Sequence, residues 1–485
     1  MRKLARNKKF IVLKFLLLWM VTTALLFANS EVRAQQKIPF TFEEYRRLVK
    51  SNHPYSKQAG FQKLRGESAV RRARGNFDPK LEASFNNKDF QNKDYYSLTS
   101  ASIKIPTAAA VELKAGFDRN TGEYVNGESI TPDDGLFVAG ISLPVLQGLF
   151  IDERRTALAQ AKAFNEFSIY EQEVLMNDLM LSAFNSYWEW WAAYEKELIA
   201  AELLSIATDR FRAVRDRAVA GQAPIIDTVE ANIQVLMRSQ NLQEAKGNEI
   251  KFRLALSSFV WDDKNEVLNP RIITESFAPT AFDGDNSPMQ YVMNNYLTFL
   301  DSIEFFNPYL RQFDAKLTSV EAEERMKREK LKPKLNLNYN LLAEPTGSSR
   351  EEPNFSTNNY KWGVDFGFPL LLRAERGDLQ LTRIKLAETK LEQQQKTAEI
   401  KNKAGSVYQN IFLLRSQIEI AERNVSNYFA LLEGERIKFF NGESSLFLVN
   451  QRELQYADSR TKLIDLKMKL SMTENELSFL LGVID

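Results

Sequence analysis

From Leu335 to Leu341 apolar and polar positions alternate one for one: Leu335, Leu337, Tyr339 and Leu341 against Asn336, Asn338 and Asn340. The same period of two sets Trp362, Val364, Phe366 and Phe368 against Gly363, Asp365 and Gly367. Earlier in the chain, Val111, Leu113, Ala115 and Phe117 alternate with Glu112, Lys114, Gly116 and Asp118, and Phe137, Ala139, Ile141 and Leu143 with Val138, Gly140 and Ser142. Successive side chains of a strand point to opposite faces, so each stretch predicts a strand with one apolar and one polar face. A further alternating segment runs from Tyr96 to Ile105.

Between these stretches the period becomes helical. Residues 149–220 contain neither glycine nor proline, and a helix of that length would extend ~100 Å, far beyond the usual globular helix. Met180, Phe184, Tyr187, Trp191, Tyr194, Leu198 and Ala201 step alternately by four and three, as do Leu463, Leu466, Leu470, Thr473, Leu477 and Leu480. Such heptad seams predict helices that pack along their length against partners. Trp188, Trp190 and Trp191 fall on this pattern and read as core aromatics, not as a ligand platform.

Segments answer one another across the chain. His53-Pro54-Tyr55 is matched by Asn307-Pro308-Tyr309, and, at the same offset, Phe77-Asp78-Pro79-Lys80-Leu81 by Leu331-Lys332-Pro333-Lys334-Leu335. Ser142-Leu143-Pro144-Val145-Leu146 corresponds to Gly367-Phe368-Pro369-Leu370-Leu371, and Gly221 before Asp227 to Gly442 before Val449. Four matches in one order predict a duplication. Its parts are a first repeat over 35–261 (helix, strands about 80–144, long helical hairpin about 147–260), a linker over 262–305 with a short amphipathic helix from Tyr291 to Phe305, and a second repeat over 306–485 (helix, strands about 334–369, hairpin about 374–482).

The N-terminus changes the setting. Arg2, Lys3, Arg6, Lys8 and Lys9 precede an apolar run from Phe15 to Ala28 and then Val32-Arg33-Ala34, the order of a secretory signal peptide over 1–34 cut before Gln35. An N-terminal membrane anchor is the alternative, although the run is shorter than the ~20 residues a span needs. Without residues 1–34 the 64 basic and 63 acidic residues become 57 and 62, a charge near −5. A chain with no basic excess has little to neutralise phosphates, so no nucleic-acid partner is expected.

Cysteine is absent and histidine occurs once, as His53. That excludes disulfides, thiol nucleophiles and imidazole-built metal sites, and no cofactor, metal or catalytic group is expected. A carboxylate-only hydrolase stays formally open, with no pair singled out. His53, beside Pro54, is expected to be a solvent-exposed turn residue.

Half-polar strands suit a soluble sheet, but behind a signal peptide they also suit strands with lipid on one side and water on the other. A few strands cannot close a wet barrel alone, and open edges are forbidden in lipid, so the membrane reading requires several copies to share one barrel.

The duplicated Asn/His-Pro-Tyr turns, the Pro-Lys-Leu strand starts, the Leu-Pro-Val-Leu and Phe-Pro-Leu-Leu strand ends and the two glycine turns, from about Phe40 to Val483, resemble the TolC-like outer membrane efflux proteins. The resemblance implies a mainly α fold with membrane β. It implies a homotrimer with four strands per chain, a twelve-stranded transmembrane barrel in outer-membrane lipid, and a helical coiled-coil tunnel extending into the periplasm. It further implies a passive exit channel, not an enzyme, working with a periplasmic membrane fusion adaptor and an inner-membrane pump or secretion ATPase in efflux or type I secretion.

Two departures stand out. Residues 80–144 exceed the matching 334–369 by about 30 residues, which suits either an extended hairpin or a folded extracellular cap. Relatives often carry aspartates around the closed periplasmic entrance, where this chain reads Leu448-Val449-Asn450-Gln451. The constriction candidates are therefore Phe439, Glu443, Asn450 and Gln451, and the adaptor-docking candidates are the tip residues Ala220, Gly221, Gln222, Gly442, Glu443 and Ser444. A periplasmic coiled-coil adaptor without a pore is the other class that shares long helices and a signal peptide.

Overall fold

The structure is a computed structural model and describes residues 38–222, 224–264, 266–267, 277–279, 296–345 and 355–482. The signal-peptide reading of 1–34 and much of the linker reading lie outside the described residues. The chain forms two compact units, one from the described parts of Met1–His53, Ala183–Asp285 and Ala421–Met468, the other from Pro54–Ser182, Asn286–Ile420 and Lys469–Asp485.

The second unit holds the sheet. Its six strands are β2 (Lys80–Phe90), β3 (Lys93–Pro106), β4 (Glu112–Thr121), β5 (Leu136–Pro144), β7 (Lys334–Ala343) and β8 (Tyr360–Gly367), joined in the order β2-β3-β4-β5-β7-β8 and antiparallel throughout. The implied count of four strands per chain is thus corrected to six in this sheet among the described residues. The extra residues of 80–144 are neither a lengthened hairpin nor a cap. Residues 93–121 alternate as their neighbours do, and β3 and β4 pair with each other and with the flanking strands, from Ser97↔Thr121 to Pro106↔Glu112.

Register keeps the two faces distinct. One row of paired residues reads Leu81, Ile103, Ala115, Ala139, Leu341, Tyr360 across all six strands, and the row beside it reads Lys80, Lys104, Lys114, Gly140, Asn340, Lys361. A slip of one residue would exchange the faces, so the pattern itself specifies the pairing. The polar face carries its own cross-strand bonds: Lys104 Nζ to Glu82 Oε2 at 2.7 Å, Ser100 Oγ to Asp118 Oδ1 at 2.6 Å and Asn338 Nδ2 to Asp365 Oδ2 at 2.7 Å.

Helices enter and leave this sheet at one end. α2 (Pro54–Arg74) precedes β2, and α6 (Pro308–Glu329) precedes β7. Asn307 caps α6, accepting from Leu310 N at 3.2 Å while its buried Nδ2 donates to Leu480 O at 2.8 Å; Pro308 takes the first helical position, where its missing N–H costs nothing. After β5 comes α3 (Glu153–Val219), of 67 residues, and after β8 comes α7 (Arg373–Phe440), of 68. α5 (Tyr296–Phe306) matches the described part of the helix predicted from Tyr291 to Phe305, whose first five residues lie outside the described ones. Its Phe299 and Ile303 share a core with Leu310, Ala404, Tyr408, Ile411 and, from α8 (Leu446–Leu481), Leu477 and Leu480.

The first unit contains β1 (Ile38–Phe40), paired in parallel with β6 (Phe277–Pro279), and α1 (Phe42–Asn52), α4 (Ile225–Ser257) and the adjoining parts of α3, α7 and α8. Thr41 and Glu44 form a reciprocal capping box at the start of α1. Trp188, Trp190 and Trp191 are buried, as the helical spacing predicts. Trp190 Nε1 donates to Glu249 Oε1 at 3.0 Å, and the Tyr187 and Tyr45 hydroxyls donate to Phe40 O at 2.9 Å and Ala183 O at 3.0 Å.

The heptad seam of α3 holds from Met180 to Trp191 but not to its end. Leu198 and Ala201 are exposed, and Ile199 and Ala207 are buried in their place. A helix of 3.6 residues per turn drifts off a strict 3.5-residue seam. His53 also differs from expectation. It is half-buried at the C-terminus of α1, stacked on Phe259 at 6.0 Å, and this burial pushes its pKa below the ordinary histidine value. In α8, Thr473 fills its seam position buried, its hydroxyl donating to Lys469 O at 2.7 Å.

Candidate functional site

Two glycine turns end the two longest helices, and both belong to the first unit. At the end of α3, Gly221 N donates to Ala218 O at 3.0 Å and Gln222 N to Arg217 O at 2.9 Å; at the end of α7, Gly442 N donates to Phe439 O at 3.1 Å and Glu443 N to Lys438 O at 2.8 Å. This paired pattern is the Schellman cap, which requires a left-handed residue at its centre. Gly221 and Gly442 supply it with φ of 72° and 77°. A Cβ on either glycine would meet nothing within 4 Å, so the requirement lies in the backbone.

Ala220, Gly221, Gln222, Gly442 and Glu443 are exposed, and Ser444 is half-buried with its hydroxyl donating to Glu435. Flanking the glycines is a feature that the sequence reading missed. Val219 and Phe440, the last residues of α3 and α7, are 84% and 85% exposed, and Ile225, Ile226 and Phe447, which begin the return helices, also face out. Large apolar side chains exposed on both sides of two tight turns make a surface that water does not favour. The signal was available as apolar residues directly beside turn glycines, where polar ones are the rule.

Behind the turns the helices are tied together. Val214 of α3, Ala231 of α4 and Leu446 of α8 form a buried cluster against which Phe211 and Phe439 pack. Next to it Glu453, with a side chain only 5% exposed, accepts from Arg210 of α3 and from Arg436 Nη2 of α7 at 3.0 Å. Arg210 also donates to Asn450 Oδ1, and Arg436 pairs with Glu433 at 2.7 Å. Burial opposes the charge on Arg436, but Glu453 and Glu433 outweigh it and hold its pKa above the ordinary arginine value. One carboxylate thus joins three helices.

The predicted constriction residues therefore separate. Phe439 and Asn450 belong to this packed and ion-paired layer, whereas Glu443 and Gln451 are exposed. Val449, between the candidates, is buried. An acidic residue does stand near 448–451, at Glu453, one helical turn beyond Val449. Its partners lie 243 and 17 residues away in sequence, so no local motif announces it. Among the described residues no group of histidine and carboxylate side chains is arranged to hold a metal, and no helix is long and apolar enough to cross a membrane.

Residues 301–483 match the outer membrane efflux protein family. The fold is similar to that of the outer-membrane channel OprN, with 11% identity and a TM-score of 0.65 over 91% of this chain and 89% of that one. It is similar to the CmeC outer membrane channel of Campylobacter jejuni, at 14% identity and a TM-score of 0.63 over 91% and 85% of the two chains. The outer membrane protein VceC of Vibrio cholerae gives 13% identity and a TM-score of 0.63 over 91% and 95%. No curated protein matches the sequence. The resemblance read from the sequence thus holds in sequence over 301–483 and in fold over 91% of the chain.

Proposed function

Taking residues 301–483 as outer membrane efflux protein sequence on a chain with the fold of such channels, we propose that this protein is one subunit of an outer-membrane exit channel extending into the periplasm. The observation that carries the reading is the sheet's exposed apolar face. Leu81, Phe85, Leu113, Ile141, Trp362 and Phe366 are all exposed on the side opposite the polar rows. Water disfavours such a face and lipid suits it, while the opposite face can line an aqueous lumen. Strands of 8 to 14 residues bracket the ~9–11 that a tilted transmembrane strand needs.

The channel is a homotrimer whose copies close one barrel, continuing into a tunnel of the long helices. The near-equal lengths of α2 and α6 (21 and 22 residues), α3 and α7 (67 and 68) and α4 and α8 (33 and 36) support a duplicated chain with repeats at 35–261 and 306–485 about a linker at 262–305, after removal of a signal peptide over 1–34. Transport is passive, with energy supplied by an inner-membrane pump or secretion ATPase through a periplasmic adaptor.

The tips have two roles in this reading. Ala220, Gly221, Gln222, Gly442, Glu443 and Ser444, with the apolar residues beside them, meet the adaptor. Phe439, Glu443, Asn450 and Gln451 surround the periplasmic constriction, held at rest by Arg210, Arg436 and Glu453. Adaptor contact that separates these helices would open the path.

The experiment is to fractionate cells expressing the full chain, extract the outer membrane in mild detergent, and measure particle mass and planar-bilayer conductance. A conducting particle of three copies is expected. A soluble monomer released by osmotic shock overturns the channel and favours a pore-less periplasmic adaptor.

A further inference from the structure

Both edges of the six-stranded sheet are open. Among the described residues β2 pairs only with β3 and β8 only with β7. β2 is exposed along all eleven of its residues, and β8 at seven of eight. Backbone N–H and C=O groups along such edges have no water to turn to inside a bilayer, so each edge must be paired.

The geometry of the edges states what pairs with them. The strands reverse direction at every step from β2 to β8, and six is even, so β8 of one copy runs antiparallel to β2 of the next. The two edges also present matched faces. Leu81, Ala83 and Phe85 of β2 lie on the same face of the sheet as Trp362, Val364 and Phe366 of β8, and Glu82 and Ser84 share the polar face with Gly363 and Asp365. Joining them continues lipid-facing rows with lipid-facing rows and wet rows with wet rows. A chain that lent only four strands would have to expose β4 as its edge, giving up ten residue pairs between β3 and β4 and placing a β2–β3 hairpin with one apolar face elsewhere.

We infer that each copy contributes six strands and that three copies close an eighteen-stranded barrel, seamed by β2 of one copy against β8 of the next. The inference rests on the trimeric-channel reading and deepens it. Barrel diameter grows roughly linearly with strand number, so this barrel would be about 1.5-fold wider than one built from twelve strands, in the range where barrels enclose an open aqueous channel. The outer-membrane part then offers little resistance, and selection falls to the helical tips.

Because the chain has no native cysteine, paired cysteines report the seam directly. Asp365→Cys in β8 is combined in turn with Lys80→Cys, Glu82→Cys, Ser84→Cys or Asn86→Cys in β2, a set that spans the possible registers on the polar face. The competing set combines Asp365→Cys with Glu112→Cys, Lys114→Cys or Asp118→Cys in β4. Outer membranes from cells making each full-length variant are oxidised and run without reductant, and the particle mass of each variant is measured in detergent before oxidation. Disulfide formation needs Cα atoms ~4.4–6.8 Å apart, so only true neighbours close.

The expected result is covalent trimer from one or two β2 pairings and none from β4. Particles of three copies in which no β2 pairing closes overturn the eighteen-stranded barrel, and closure through β4 in such particles would establish the twelve-stranded alternative while leaving the channel intact. If the unsubstituted chain is a soluble monomer, the channel reading itself falls.

Discussion

Arg436 Nη2 donates to Glu453 Oε1 at 3.0 Å across the turn that joins α7 to α8, and the same carboxylate oxygen accepts from Arg210 of α3. Glu453 is buried, so removing its charge takes the shared carboxylate from two arginines, leaving Arg436 with Glu433 and Arg210 with Asn450. Glu453→Gln is expected to destabilise the tip by on the order of 3 kcal/mol, the lower part of the range for breaking a buried pair, because Arg436 keeps partial access to water. If these contacts hold the resting constriction, the same variant should show higher basal conductance in planar bilayers. Unchanged conductance together with a lowered Tm would make the cluster purely structural.

Gly221 and Gly442 stand at left-handed φ with open space around the missing side chain. Alanine at either position is expected to cost about 1 kcal/mol locally, and asparagine less, since asparagine tolerates this conformation better. Hydrogen exchange of the tip amides reads the local loss, while the Tm of the whole trimer should barely move. Gly442→Arg adds a bulky charge at the proposed docking surface and is expected to abolish export from intact trimers. Normal export would remove the tip from the docking surface.

The apolar residues beside those turns give a separate test. Phe440 and Phe447 are exposed, so serine at both positions removes little native packing and should leave the unfolding free energy within about 0.5 kcal/mol of the parent's. Export, and co-purification of the tip with its adaptor, should fall at least tenfold. Retained export would mean that the exposed aromatics serve another contact.

Much of this architecture is legible in the sequence because it is periodic. Alternation locates the strands around Leu113, Phe137, Leu337 and Val364, and the two Pro-Lys-Leu segments start β2 and β7. The number of strands was harder, because the four per chain come from the resemblance and leave the alternating Tyr96–Ile105, with Ser100, Ala101 and Ser102 at its centre, open between a hairpin and a cap. Only the pairing of Ala101 with Phe117 and Ser102 with Gly116 shows why small residues sit there: they lie beside larger neighbours or close backbone. The Glu453 cluster was illegible for another reason. Its arginines come from helices far apart in the chain, and a charged residue on an amphipathic helix reads as solvated until its neighbours are known. His53 was misread because its covering ring, Phe259, also comes from a distant part of the chain.

The two faces of β8 predict opposite responses to one substitution. Val364 belongs to the apolar face and Gly363 to the polar one, and a side chain added at Gly363 meets nothing within 4 Å. Val364→Arg is expected to destabilise the barrel by about 2–4 kcal/mol if it lies near the bilayer midplane. Gly363→Arg should leave stability nearly unchanged and alter ion selectivity. Urea unfolding in lipid vesicles measures the first effect and reversal potentials the second. Equal stability losses would mean that the two faces do not divide lipid from water.

Glu324 of α6 predicts how stability follows pH. Its buried carboxylate accepts from Arg328 Nη2 at 2.7 and 2.8 Å and from Arg383 Nε at 3.2 Å. Burial alone pushes its pKa up, but the two arginines outweigh it and hold the value below that of an ordinary glutamate. A group whose pKa is depressed on folding binds its proton more readily when unfolded. Its contribution is therefore complete above the unfolded value of about 4.3 and disappears as pH falls through the lower folded value. Glu324→Gln should lower Tm at pH 7, and the gap to the parent should narrow on acidification below about pH 4. A gap that stays constant from neutral to acid pH would show that the arginines do not stabilise the ionised form.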